Sequence, residues 1–400
     1  MSECKRSTTQ EVILPFYQPI VSLQTRLIYG YESLGRRITA NGIESLGPLF
    51  HSTIVKEQEK LELDRQLRTL ALQHRAQSGG SEKLFINLKP SWIYRYHSKL
   101  SELPTLKLLN DSGIDPHLVV IEITEEQFTG DLAILREIMH VYRSLGCMIA
   151  IDDLGSGFSN FERIAQIEPD ILKVDLNIIR KSQVSKRHSQ LLKSFSSVAE
   201  HIGASLLLEG IESEQDIYLA LQAGARYLQG FYFSQAIPDF LAESAFTMQL
   251  ATLTKRYFEQ SYIARHDLYR IESELAACVN TSLRDWQGSW EEVNRFLLYL
   301  SSQIHPICFR MYVCKENGDQ VSANCTRQID HTWLLEFDHV GQNWMWRSHF
   351  ISNIVTMKKY QIGILSAEYG DLHSNRRIRT YSCPLNQHQY LFLDLDIEMI

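Results

Sequence analysis

Between residues 12 and 240 the chain alternates short apolar runs with longer amphipathic stretches. The apolar runs are VILPFYQPIVS, LIYGYESL, KLFINL, LVVIEIT, MIAIDD, DILKVDL, ASLLLEGI and RYLQGFYF. Each is rich in branched or aromatic residues with little polar alternation, the pattern of strands buried on both faces. Between them lie segments with helical periodicity, including PLFHSTIVKEQEKLELDRQLRTLALQHRAQ, DLAILREIMHVYRSLG, KRHSQLLKSFSSVAEHIG and SEQDIYLALQAG. Three of these end at or near glycine, the usual helix C-cap signal. Eight strands in roughly 240 residues predict an α/β fold, a TIM-type (β/α)8 barrel. The first two strands are joined only by SLQTR, too short for a crossover helix, so they are expected to pair antiparallel. A doubly wound open sheet is the alternative, but its ligand groups gather near one switch point.

The pattern changes after residue 240. Residues 241–283 contain no glycine or proline and carry Leu250, Leu253, Tyr257, Ala264, Leu268, Ile271 and Leu275 at roughly heptad spacing. This reads either as one connecting, dimerising helix or as a helix pair packed on the barrel. Beyond it, a helical stretch (SWEEVNRFLLYLSSQI) precedes two alternating runs around Gly318-Asp319, the signature of a hairpin. The runs IGILSAEYG, RRIRTYSCPL and QYLFLDLDI complete a small, mostly antiparallel α+β module. The expected division is therefore 1–245 barrel, 246–285 helical linker and 286–400 α+β domain.

Nearly every barrel run ends on a residue able to hold a metal, a phosphate or a proton: Glu32, Asn87, Glu122, Asp152 with Asp153, Lys173 with Asp175, Glu209 and Gln229. Their successive gaps from Glu32 through Asn87, Glu122, Asp152, Lys173 and Glu209 to Gln229 are 55, 35, 30, 21, 36 and 20 residues. Gaps of about 20 to 40 residues suit one strand, loop and helix, which would bring the strand ends to one rim. A carboxylate inside a buried strand is costly unless paired or bound to a cation. The donor set is all oxygen, without Cys or His, which suits Mg²⁺ or Mn²⁺ better than zinc. Asp153 and Glu209 add enough acid for a second ion, and such a pair can clamp a phosphodiester and acidify a water. Lys173 could orient that water or act as base, subject to its pKa. The plainer reading is an ion-pair network of these acids with Arg36, Arg37 and Lys173.

Composition excludes more than it selects. Hydrophobic residues make up 44% and charged residues 22% of 400 residues, as in ordinary soluble proteins. No apolar run approaches the ~20 residues of a membrane helix, and the N-terminus lacks a signal peptide's apolar core. Seven cysteines, odd in number and without CxxC pairing, favour reduced thiols and a cytoplasmic location. The net charge of −7 argues against a polynucleotide partner.

The ordered motifs resemble the EAL domain, the metal-dependent phosphodiesterase that opens cyclic di-GMP to linear pGpG. YESLGR, preceded by FYQPIVSLQT, stands for the signature, INLKP for the asparagine motif and IEITEEQF for the second glutamate motif. IDDLGSGFSNF matches the double-aspartate motif and loop, followed by LKVD, LLLEGIES and LQGFYFS. The resemblance implies that Glu32, Asn87, Glu122 and Asp152 ligate metal, Asp153 holds a second ion, and Asp175 and Glu209 complete the shell. Glu32, Lys173 and Glu209 would be catalytic, and Gln18, Arg36, Lys173, Gln229 and Gly230 would meet the nucleotide. Glu125 would brace the loop that carries Gly155, Ser156 and Gly157. A homodimer is implied as well. Ser33, Lys89, Leu154, Ser156 and Phe158 depart from the family pattern; Lys89, a cation near a phosphate site, reads more plainly as a solvated strand-end lysine.

The C-terminal module is similar to the PAS-like or Cache-like sensory domains that follow some EAL domains, and would take an unidentified signal. Arg347 among Trp344, Trp346 and Phe350 could clamp a ligand carboxylate, although packing is the simpler role for the rings. Arg376, Arg377 and Arg379 read as a solvated face rather than an anion site. The rivals to a phosphodiesterase are a receptor that binds cyclic di-GMP without useful turnover, and a different metal-dependent barrel enzyme with a lysine base.

Overall fold

Strand β1 (Val12–Ser22) turns through Leu23–Leu27 directly into β2 (Ile28–Thr39), and the two pair antiparallel over ten register positions. The turn is closed by the Ser22 N–H donating to the Leu27 carbonyl at 2.9 Å, with Arg26 at a φ of +63°. In the computed structural model the described residues are 11–96, 98–123, 130–152, 154, 161–176, 187–289, 292–347, 350–371 and 376–396. They form two compact units, Met1–Tyr257 and Phe258–Ile400.

A short strand β3 (Gly42–Ser45) hangs antiparallel on the outer end of β2. The remaining barrel strands are β4 (Lys83–Leu88), β5 (Val119–Ile123), β6 (Met148–Ile151), β7 (Ile171–Asp175), β8 (Ser205–Glu209) and β9 (Tyr227–Gln229). Each of β2 and β4–β9 pairs parallel with the next, and β9 returns antiparallel to β1. The sheet closes, and the open-sheet alternative falls away. The antiparallel opening pair is as its five-residue connection requires.

Two hydrophobic layers hold the barrel. Outside the strands, Leu84, Ile86, Val119, Ile121, Ile149, Leu172, Leu206 and Leu208 pack with residues of the surrounding helices. Among these helices are α2 (Glu57–Ser78), α5 (Leu132–Ser144), α7 (Arg187–Ile202) and α8 (Glu214–Gln222). The shorter helices α1 (Gly47–His51), α3 (Pro90–Tyr94), α4 (Pro104–Ser112) and α6 (Phe161–Ile167) complete the described set here. Inside the strands, Ile20, Phe85, Val120, Ala150, Ile171, Leu207 and Tyr227 form a separate buried plug. Burying side chains of this kind contributes about 1.5–3 kcal/mol each. The single helix expected over 48–77 is instead two, α1 and α2, because the chain leaves helical geometry at Ser52, whose ψ is 136°.

Helix α9 (Thr247–Asp285) is one uninterrupted element of 39 residues, so the helix-pair reading does not hold. Leu250 and Leu253 belong to the core of the first unit, and Ile271, Leu275 and Val279 to that of the second. In the second unit the predicted hairpin turns at Gly318, with Lys315 N–H donating to the Asp319 carbonyl at 2.9 Å. Strands β10 (Cys308–Lys315), β11 (Asn324–Arg327), β12 (Trp333–Glu336), β13 (Ile364–Leu365), β14 (Tyr369–Gly370), β15 (Arg377–Pro384) and β16 (Gln389–Asp396) make one antiparallel sheet. Its first and last strands lie side by side. Helices α10 (Val293–Ser301) and α11 (Phe350–Tyr360) accompany it.

The three arginines at the start of β15 are engaged rather than simply solvated: Arg376 pairs with Asp396 at 3.3 Å, Arg377 with Glu368, and Arg379 donates to the Ser366 carbonyl at 2.9 Å. Arg347 lies over the rings of Trp346 and Tyr369, 4.6 and 4.9 Å from their centroids, while Phe350 is buried.

One ionic network sits within this sheet. Arg310 donates from Nε to Asp394 Oδ2 at 2.7 Å and from Nη2 to Asp371 Oδ1 at 2.8 Å, and Thr380 Oγ1 donates to the other Asp394 oxygen at 2.6 Å. Both aspartates are buried, so removing the guanidinium strands two carboxylates in low dielectric. Arg310→Met is expected to lower the unfolding free energy by about 3 kcal/mol in urea titrations; a loss below about 1 kcal/mol would show that water or local relaxation satisfies the acids.

Candidate active site

The side chains two positions beyond the plug share its inward face, since a strand's side-chain period is two. Beyond Phe85 stands Asn87, beyond Val120 Glu122, beyond Ala150 Asp152, beyond Ile171 Lys173, beyond Leu207 Glu209, and beyond Tyr227 Gln229. In β2 the plug position is Gly30, whose missing side chain leaves room for the Phe85 ring, and Glu32 follows two residues later. One apolar layer is thus overlaid by one polar layer.

Lys173 is the centre of that layer and is completely buried. Its Nζ lies 2.7 Å from Glu122 Oε1, 2.7 Å from Glu209 Oε1, 3.2 Å from Asp152 Oδ1 and 3.6 Å from Glu32 Oε2. Burial opposes the ammonium, but Asp152, Glu122, Glu209 and Glu32 together outweigh it and hold its pKa well above the ordinary lysine value. Glu122 is pushed well up, first by burial and then by Glu32 and Asp152, against the pull of Lys173. Glu209 is raised for the same first reason, with Asp152 and Glu32 adding to it, although 21% of its side chain remains exposed.

Two carboxamides hold Glu32. Asn87 Nδ2 donates to its Oε1 at 3.0 Å, and Gln229 Nε2 donates to its Oε2 at 2.7 Å. The Gln229 amide also reaches Gln18 Oε1 at 3.3 Å, and Gln18 in turn donates to the Ser234 carbonyl at 3.2 Å. This relay follows from the closure of the barrel, where β1 pairs with both β2 and β9 and sets Gln18 opposite Glu32. The sequence gives no sign that Gln229 contacts a carboxylate.

Single oxygens of Glu32, Glu122 and Asp152 lie within 4.8 Å of one another. Glu122 Oε1 and Glu209 Oε1 are each partnered by Lys173 Nζ at 2.7 Å, whereas Glu122 Oε2 is buried without a hydrogen-bond partner among the described residues. Buried, all-oxygen and net negative, with Glu122 Oε2 left without a donor among the described residues, the set fits a hard divalent cation. Asp175 lies on the same face of β7 as Lys173, opposite Glu209 in the strand register. Asp153, Glu125, Gly155, Ser156 and Gly157 lie outside the described residues. Leu154, in contrast, is buried, and its N–H donates to the Lys173 carbonyl at 3.1 Å.

A cavity of about 330 Å³ lies beside Asn87 and Asp152, lined also by Arg36, His51, Lys89 and Trp92. That volume is at the lower end of the ~300–1,000 Å³ usual for small-molecule sites. Arg36 donates to the Gly35 carbonyl at 3.0 Å, and burial lowers its pKa while Glu32 opposes the shift. Lys89 corrects its sequence reading. Rather than standing in solvent it is half-buried, 4.8 Å from the Trp92 ring centroid, with Nζ 3.4 Å from the Phe50 carbonyl. Gly230 has a structural duty: a Cβ there would come within 2.1 Å of the Ile211 carbonyl oxygen. The cavity residues Trp92 and His51 escaped the sequence reading; the only available signal was the SWIY segment directly after INLKP.

Comparison with known proteins accords with this geometry. The EAL domain family profile matches residues 2–236, and an EAL-domain associated signalling protein domain matches residues 240–400. The chain belongs to the EAL domain family, with an EAL-associated signalling domain at its C-terminal side. It is 34% identical over 391 residues to YkuI of Bacillus subtilis, an uncharacterised EAL-domain containing protein, covering 97% of this chain and 95% of that one. The crystal structure of YkuI in complex with its substrate cyclic di-GMP and calcium matches with a TM-score of 0.88 and 32% identity, covering 96% of each chain. The cyclic di-GMP phosphodiesterase RocR of Pseudomonas aeruginosa is 29% identical over 231 residues, 56% of this chain and 57% of RocR. No described helix is long and apolar enough to cross a membrane.

Lys173 offsets acids whose raised pKa values favour the protonated form, so metal-free stability contributed by Glu122 and Glu209 is present at low pH and lost as pH rises through those raised values. Removing the ammonium enlarges that loss. Metal-free Lys173→Met is therefore expected to show a steeper fall of Tm than wild type as pH rises from the ordinary carboxylate range to neutrality, with divalent cation restoring much of it. Parallel Tm profiles would mean the ammonium does not govern these acids.

Proposed function

We propose that the chain is a cyclic di-GMP phosphodiesterase that opens the cyclic dinucleotide to linear pGpG. The observation carrying this reading is the cluster of Glu32, Glu122 and Asp152 around Lys173, with the cavity of about 330 Å³ beside Asp152. Asn87, Asp175 and Glu209 would join those acids in holding two divalent ions, Mg²⁺ or Mn²⁺, with Asp153 as a further ligand. When bound, such ions supply Lewis-acid polarisation of the phosphodiester and lower the pKa of a water.

The roles of the side chains follow from their electrostatics. Four acids keep Lys173 charged, so its proposed part is to donate from Nζ and orient the attacking water rather than to abstract a proton. Glu209, raised in pKa and partly exposed at the rim, is the better proton acceptor. Glu32 bonds to Asn87 and Gln229 through both oxygens, which fixes its direction. Arg36, in the cavity wall, would meet a substrate phosphate, and Gln18 and Gln229 would position Glu32 while bordering the nucleotide. YkuI, similar over nearly the whole chain, was solved with cyclic di-GMP and calcium, and RocR is a cyclic di-GMP phosphodiesterase. Those likenesses support the same substrate here.

The proposed domain roles are catalysis by residues 1–245, linkage by 246–285 and regulation by 286–400, in a cytoplasmic homodimer. The receptor reading draws on Lys173, whose pairing with all four acids competes with a cation for the same oxygens.

Incubation with cyclic di-GMP and Mn²⁺, followed by chromatography, is expected to yield pGpG. Glu32→Ala should lower turnover by about a thousandfold, the loss typical of removing a metal-site or charge-stabilising group, while circular dichroism stays unchanged. Binding of cyclic di-GMP without pGpG under Mg²⁺ and Mn²⁺ would favour the receptor.

A further inference from the structure

The cavity beside the acidic cluster carries a cation that the proposed chemistry does not use. Lys89 stands two residues after Asn87 on β4's line and lines the same cavity as Arg36, Asn87 and Asp152. Its Nζ has one weak neutral acceptor, the Phe50 carbonyl at 3.4 Å, and the face of Trp92. The acids nearest in influence are committed elsewhere. Asp64 is paired with Arg68, and Glu57 accepts from Trp92 and pairs with Lys60 at 3.6 Å. Among the described residues Lys89 thus has no ion-pair partner, although it is half-buried. Asp64 and Glu57 feel the Lys89 charge but do not pair with it directly, so an anion in the cavity would supply the charge-assisted contact that Lys89 lacks.

A cyclic dinucleotide carries two phosphodiester groups, of which one is cleaved beside the carboxylates. We propose that Lys89 binds the other, uncleaved phosphate, making it a specificity residue for substrates with two phosphates. The Trp92 ring supports the geometry: Lys89 Nζ lies 4.8 Å from its centroid, and its indole N–H is tied to Glu57, so the platform is held in place. This assignment rests on the phosphodiesterase reading, and wild-type turnover tests that reading separately.

The experiment compares wild type with Lys89→Met, which keeps an apolar stem over Trp92, and Lys89→Arg, which keeps the charge. With cyclic di-GMP and Mn²⁺, Lys89→Met is expected to raise KM about tenfold, the worth of one charge-assisted hydrogen bond, with kcat within about twofold. Lys89→Arg should recover most of the loss. The wild-type KM should also climb more steeply with salt than that of Lys89→Met. As a competitor, the linear dinucleotide GpG keeps the uncleaved phosphodiester and lacks the cleaved phosphate, so its inhibition constant should rise about tenfold in Lys89→Met.

An unchanged KM in Lys89→Met overturns the proposal. Equal damage in Lys89→Arg and Lys89→Met assigns the residue to packing and overturns it as well. Equal inhibition by GpG in wild type and Lys89→Met would assign Lys89 to the cleaved phosphate and overturn the proposal. If Lys89→Met fails to fold, the Lys89→Arg comparison and the salt dependence of the wild type decide. A wild-type protein that turns over no cyclic di-GMP refutes the phosphodiesterase reading itself.

Discussion

Four carboxylates and one ammonium share a space from which water is nearly excluded, and the rest of the first unit is arranged around that constraint. Lys173 has no exposed side-chain surface, and Glu122 has none either. Such burial is tolerable only because opposite charges lie within 2.7–3.6 Å of Nζ. The excess of acid over base remains. It appears as raised carboxyl pKa values and as a buried Glu122 oxygen with no hydrogen-bond partner among the described residues. A site in this state is poised for additional positive charge, which is what a hard divalent cation provides.

Strand periodicity is what makes the arrangement buildable. The barrel plug and the polar layer are successive inward positions of the same strands, so the apolar residues that close the barrel also aim the functional ones. Phe85 needs the space left by Gly30, and Gly30 is two residues from Glu32; packing and chemistry are set by the same short segment. The relay from Ser234 through Gln18 and Gln229 to Glu32 exists only because the first and last strands meet. Barrel closure is therefore part of the site's electrostatics.

Much of this was legible in the sequence for a physical reason: strands buried on both faces leave uninterrupted apolar runs, and a charge at the end of such a run stands out. Glu32, Glu122, Asp152, Lys173 and Glu209 were all found in that way, as was the antiparallel opening pair. What stayed hidden depends on distant neighbours. Lys89 looks like a solvated lysine until Trp92 and the Phe50 carbonyl are placed beside it. That Gly230 must be glycine is not visible locally either, since it is the Ile211 backbone that occupies the space a side chain would need. Helices α1 and α2 look continuous because the break at Ser52 has neither Gly nor Pro. Strand β3, with all four residues exposed, leaves no apolar trace. The second unit was read at the level of a hairpin and antiparallel runs, while the Arg310 network, built from residues 61 and 84 positions apart, left no local sign.

The central claim is that these strand-end oxygens form a divalent-cation site around Lys173. Anomalous diffraction from crystals grown with Mn²⁺ tests it most directly. The account predicts a Mn²⁺ peak within coordination distance of oxygens from Glu32, Glu122 and Asp152. Density showing Lys173 still paired with all four acids and no Mn²⁺ peak at that mouth, at saturating metal, would contradict it.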